Sequence, residues 1–194
     1  MFFTLPASQG FLLAGGAALV AQRLTQRPTQ DLDFFGTPKS GDVGAARDQL
    51  EAVVQAAGWT AHRVRVGPDF CRLVISAHED LLVDIAMDSA PNQPPKISIA
   101  GPTFDLEELA GRKVLALFDR AEARDFADVY VLAQRYSKDL PLTRAAEIDD
   151  GFSRSVFREM IGSLSRFIDA EIPVASGDVA AVRAFFAAWA AELR

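Results

Sequence analysis

The feature that most constrains this chain is a change of period near residue 100. Before it, apolar and polar residues alternate in short runs; after it, apolar residues recur three and four apart. Alternation is the mark of a half-buried strand and the longer spacing that of an amphipathic helix. Residues 31–35, 59–66, 70–77 and 81–87 therefore read as strands, with a short one at 97–99. Gly67-Pro68-Asp69 and residues 77–80 form the turns between them. Helices are predicted at 16–24 and 44–57, the second burying Ala45, Leu50, Val53, Val54 and Ala57. Further helices follow at 105–119, 122–136, 142–148, 153–168 and 177–193. Asp105 suits an N-cap, with Glu107 and Glu108 in the first turn. The expected fold class is α+β: a small mixed or antiparallel sheet from residues 1–100, with a helical part from 101–194 packed on it as a single compact unit.

Composition excludes several classes. With 49% hydrophobic and 24% charged residues in 194, the chain is neither disordered nor fibrous. Twenty Lys and Arg against 26 Asp and Glu give a net charge of −6, which argues against wholesale coating of nucleic acid. Cys71 stands alone, so no intrachain disulfide forms and a reducing compartment is expected. The apolar run at 11–21 has no Lys or Arg before Arg23, unlike a secretory leader. No apolar run reaches the roughly 20 residues of a membrane span. The expectation is a cytoplasmic protein with no membrane partner.

The chemistry gathers on a few residues. Asp31 and Asp33 are two apart on one strand, so both carboxylates project from one side while Leu32 and Phe34 enter the core. Two adjacent carboxylates repel unless a cation joins them, and Mg²⁺ prefers such oxygen ligands. Asp84 lies within the apolar strand 81–87, where a carboxylate needs a metal or a partner. If that strand neighbours Asp31 and Asp33, three carboxylates converge as in a two-metal site. Gly15 and Gly16 precede a helix, where free N–H groups and bare backbone suit a phosphate.

Residues 13–19 (Leu-Ala-Gly-Gly-Ala-Ala-Leu), then Arg27, Thr29 and Asp31-Leu32-Asp33-Phe34-Phe35, resemble the AbiEii/AbiGii-type toxin nucleotidyltransferases of the DNA polymerase β-like superfamily. Lys113, Ala116, Arg120, Arg124-Asp125, Asp128 and Tyr130 extend the resemblance, which covers about residues 10–135. It implies a nucleotidyltransferase-like mixed sheet with flanking helices. It also implies transfer of a nucleoside monophosphate from an NTP to an acceptor hydroxyl, in some members the 3′ end of a tRNA, and an antitoxin partner. By the same resemblance Asp31, Asp33 and Asp84 hold Mg²⁺ or Mn²⁺ and are catalytic, with Asp84 helping to deprotonate the acceptor. Gly15 and Gly16 cradle the phosphates, Lys113 contacts the triphosphate as a catalytic and nucleotide-binding residue, and Asp125 sits near the nucleotide or orders Lys113.

Plainer readings stand beside these. Gly15-Gly16 alone is a tight turn, and Asp31 and Asp33 alone are solvated strand acids. Asp84 alternatively pairs with Arg63, Arg65 or Arg72. Those three arginines also suggest a basic stripe on the sheet. Lys113 alternatively snorkels, and Arg120, Arg124, Asp125 and Asp128 form surface ion pairs. His62 and His78 are read as surface groups; Cys71, Phe185, Phe186 and Trp189 are read as packing residues. Three functions follow: a toxin-like nucleotidyltransferase acting on RNA, a small-molecule (antibiotic-type) nucleotidyltransferase favoured by the acidic chain, and a catalytically silent binding module on the same fold.

Overall fold

The computed structural model describes residues 1–193 apart from positions 26, 30 and 38, and the chain divides into two compact units. The first comprises Met1–Arg23 and Pro28–Phe104; the second comprises Leu24–Arg27 and Asp105–Arg194.

The first unit holds a seven-stranded mixed sheet. Its strands are β1 (Leu12–Ala14), β2 (Asp31–Gly36), β3 (Thr60–Val66), β4 (Phe70–Ser76), β5 (Asp80–Met87), β6 (Lys96–Ser98) and β7 (Gly101–Thr103). The spatial order is β3-β4-β5-β2-β1-β7-β6. β2 runs parallel to β5 and antiparallel to β1, which puts the Asp-Leu-Asp strand at the centre. The alternation is realised on β4, where Cys71, Leu73 and Ile75 are buried and the residues between them are not. Cys71 is a core residue as expected, and burial pushes its thiol up from the ordinary cysteine value. His62 and His78 are exposed.

Two helices join this sheet: α1 (Gly15–Ala21) and α2 (Val43–Ala56). The Asp42 side chain caps α2 by accepting from the Ala45 amide at 2.9 Å. The buried face of α2 is Val43, Ala46, Leu50 and Val54. Of the expected face Leu50 and Val54 are buried and Ala45 and Val53 half-buried, while Ala57 is exposed because the helix ends at Ala56. Phe2 stacks on Phe34 with centroids 3.8 Å apart, so residues near the chain start pack beneath β2. There, Phe2, Leu13, Ala17, Leu32 and Phe34 help line an apolar cavity of about 690 Å³.

Two features of this unit differ from expectation. β7 is the sequence Gly-Pro-Thr, whose Pro and Gly mask a strand that pairs parallel to β1 through Leu13 and Thr103. The three arginines form no single stripe. A β-bulge between Arg63 and Arg65 sends them to opposite faces, since Arg63 is in register with Leu73 and Arg65 with Arg72.

The second unit is helical: α3 (Leu106–Asp119), α4 (Ala123–Ala133), α5 (Asp139–Ile148), α6 (Arg154–Gly162) and α7 (Val179–Glu192). Asp105 caps α3 through the Glu107 amide, as the sequence suggests. α5 starts earlier than expected because Pro141 falls in its first turn, where the missing N–H has no helical partner to lose. α6 ends early at Gly162; Ser163 donates to the Met160 carbonyl at 2.6 Å and the chain tightens into a 3₁₀ turn, Ser163–Arg166. Val114, Leu117, Phe126, Phe157, Phe186 and Trp189 are among its core residues, with Phe185 packed against them. No helix among the described residues is long and apolar enough to cross a membrane.

Candidate active site

The strand register decides which acids meet. Ala14 on β1 is opposite Asp33, and Asp33 is in register with Asp84 on β5. Residues in register on adjacent strands share a face, and so do residues two apart. Asp31, Asp33 and Asp84 therefore lie on one face of the sheet, while Leu32 and Phe34 lie on the other with Val83 and Ile85.

Their immediate partners separate them. Asp31 accepts from the Thr29 hydroxyl. Asp33 lies over Gly15, which has φ +61°; a Cβ added there would stand 1.7 Å from Asp33 Oδ2. Glycine is thus required at this position twice, by the left-handed backbone and by the carboxylate occupying the side-chain space. Gly16 is buried behind it. The opening that the Gly-Gly pair creates is filled by an aspartate, which ties the start of α1 to β2.

Asp84 is committed elsewhere. Arg72 donates to it through Nε at 2.8 Å and Nη2 at 2.6 Å. The hairpin between β4 and β5 is centred on His78 and sets residue 72 opposite residue 84. Of the readings open for Asp84, the structure shows the arginine pair. Among the described residues, no group of three or more His, Cys, Asp or Glu side chains is placed to hold a metal ion.

In the helical unit, Lys113 on α3 is buried and its Nζ donates to Asp128 Oδ2 at 2.7 Å. Arg27 donates to the same carboxylate at 3.0 Å. Asp125, fully buried, instead receives Arg120 Nε and Nη2 at 3.0 and 2.9 Å and the Glu122 amide at 3.1 Å. Asp128 therefore orders Lys113, and Asp125 secures the corner leading into α4. The expectation that Asp125 orders Lys113 is corrected on geometry: both Asp125 oxygens are taken by the corner. Neither acid forms the surface pair that helical spacing suggests, since both are buried. What the sequence does not disclose is the partnership of residues 27, 113 and 128, which only the helix packing creates.

Residues 3–173 match the family model described as Nucleotidyl transferase AbiEii toxin, Type IV TA system. The chain belongs to this family. It is a nucleotidyltransferase of the AbiEii toxin type. Solved structures agree in fold. JHP933 from Helicobacter pylori is 18% identical with a TM-score of 0.64, covering 96% of this chain and 85% of that one. MenT4, a nucleotidyltransferase toxin from Mycobacterium tuberculosis, is 18% identical with a TM-score of 0.62, covering 95% of this chain and 76% of that one. No curated protein sequence matches the chain.

Proposed function

We propose that this AbiEii-type protein transfers a nucleoside monophosphate from an NTP to an acceptor hydroxyl, with a divalent cation held by Asp31 and Asp33. The observation that carries this reading is the locked arrangement of Gly15 and Asp33, which fixes two same-face carboxylates beside the start of α1. Mg²⁺ is commonly bound through one or two carboxylates, with substrate phosphates and waters completing its shell. Asp31 and Asp33 fit that donor set. Asp84, engaged by Arg72, is not needed for it and is withdrawn from the proposed metal ligands. When bound, the ion neutralises phosphate charge and orients the triphosphate.

The chain's own groups do the rest. Gly15, by admitting Asp33, sets the first amides of α1 beside the two carboxylates, and with Gly16 is proposed to present them to the phosphates. Lys113, held by Asp128, keeps on the family resemblance its proposed role as a nucleotide-binding residue. The acceptor hydroxyl releases its proton to solvent water as its oxygen forms a bond to the α-phosphorus; the bond from that phosphorus to the oxygen bridging the β-phosphate breaks, and pyrophosphate leaves. Catalysis of this kind rests on positioning and charge neutralisation. RNA is the proposed acceptor and the cytoplasm the proposed location. A cognate antitoxin, implied by the Type IV toxin–antitoxin family, is the proposed protein partner.

The test is incubation with each labelled NTP, Mg²⁺ and total RNA. Label is expected in RNA, and Asp33→Asn is expected to lower the rate about a thousandfold with the fold intact by circular dichroism. Full activity in Asp33→Asn removes the proposed site; label in small molecules alone moves the acceptor to the antibiotic-type class.

A further inference from the structure

The face that carries Asp31 and Asp33 changes sign along one row. In register across the sheet stand Asp33 on β2, Asp84 on β5, Arg72 on β4 and Arg65 on β3. The row reads carboxylate, carboxylate, guanidinium, guanidinium. Gly15 and the start of α1 follow β1, on the opposite flank of β2 from the arginines.

The arginine flank is built rather than incidental. Asp84 is 12% exposed at its side chain and Arg72 42%, so the carboxylate is the anchor and the guanidinium reaches out. Of the five N–H donors of Arg72, Asp84 takes two, leaving three. The Phe70 ring supports both cations, with its centroid 5.3 Å from Arg65 Cζ and 5.8 Å from Arg72 Cζ. Two guanidinium groups on one ring repel unless an anion joins them. The bulge after Arg63 creates this pair. In regular alternation residues 63 and 65 would share a face, whereas here Arg63 turns to Glu51 and Asp48 on α2 and Arg65 turns to Arg72. The nearby acids Asp84, Asp33 and Asp31 all hold the Arg72 guanidinium firmly charged.

We propose that Arg72 and Arg65 bind a phosphate of the acceptor, on the flank of Asp31 and Asp33 away from the nucleotide, and that Asp84 is the positioning residue that aims Arg72. This deepens the reading of Asp31 and Asp33 as the cation-binding pair and rests on it. The acceptor is accordingly phosphate-bearing, a single-stranded RNA or a phosphorylated small molecule, and not a cationic compound. Asp84 holds Arg72 at two points, which fixes the plane of the guanidinium and leaves its outer edge toward solvent.

The experiment uses the full chain and a fluorescein-labelled single-stranded oligoribonucleotide, followed by anisotropy over a salt series, with ribose 5-phosphate as a calorimetric probe. Arg72→Gln and Arg65→Gln are each expected to weaken RNA binding about tenfold and to lower the log–log salt slope by about 1. Arg72→Lys should recover part of the loss. Asp84→Asn should weaken binding without changing the salt slope as far, and the double variant Asp84→Asn/Arg72→Gln should be no worse than Arg72→Gln. In all of them, NTP binding and its Mg²⁺ half-saturation stay at the wild-type value. Ribose 5-phosphate binding that is lost in Arg72→Gln, with RNA unbound, identifies the phosphorylated small molecule as the source. Wild-type affinity for both probes in both glutamine variants overturns the proposal. So does an Asp84→Asn protein with normal RNA binding and a raised Mg²⁺ requirement, which returns Asp84 to the metal. The underlying reading fails separately, if Asp33→Asn keeps Mg²⁺-dependent NTP binding.

Discussion

The protein contains two acid–cation clusters, one in each unit, and they are built on opposite plans. On the sheet, a buried carboxylate holds an arginine that extends into solvent: Asp84 is 12% exposed and Arg72 42%. In the helical unit both partners are enclosed, with Lys113 at 8% and Asp128 at 2%, and Arg27 joins them. The same pairing of charges thus does different work. An enclosed cluster penalises loss of any member, because the remaining charge is stranded away from water. A half-open pair also leaves a carboxylate behind when its arginine is lost, but the open side admits water and lowers the penalty, and the pair gives the arginine its direction.

Stability in denaturant separates the two clusters. Asp128→Ala should show the largest effect, a loss of about 3–5 kcal/mol, because it leaves Lys113 and Arg27 without their shared carboxylate. Arg72→Gln should cost less, about 1–3 kcal/mol, because it takes the charged donors from the carboxylate of Asp84. Equal losses in the two variants would end the distinction. The smallest effect is expected at Arg63, which is 47% exposed and shares its donors between half-buried Glu51 and exposed Asp48. Arg63→Ala should leave the melting temperature unmoved within error, and a clear drop would mean that surface pairs on this sheet carry more than the contrast allows.

Much of the site was readable from residue spacing. Asp31 and Asp33 share a face because strands have a period of two, and Asp105 caps a helix because its side chain can reach the first-turn amides. The placement of Asp84 beside Asp33 followed from strand neighbours, but its partner depended on hairpin register, which centres on His78 and brings Arg72 opposite. Arg63, Arg65 and Arg72 look alike in sequence. A single bulge divides them, and no residue at 63–65 announces it. β7 was hidden by its Gly and Pro, and the Lys113–Asp128 pair by the packing of α3 against α4, where local spacing suggested surface pairs instead.

The stacking of Phe2 on Phe34 has a practical consequence. The recognisable signature begins at Leu13, which invites a shortened protein trimmed to that point. Such a chain would remove the aromatic support from the underside of the strand whose upper side presents Asp31 and Asp33. The first few residues are a foundation for the strand that bears Asp31 and Asp33, though they reach neither carboxylate's face.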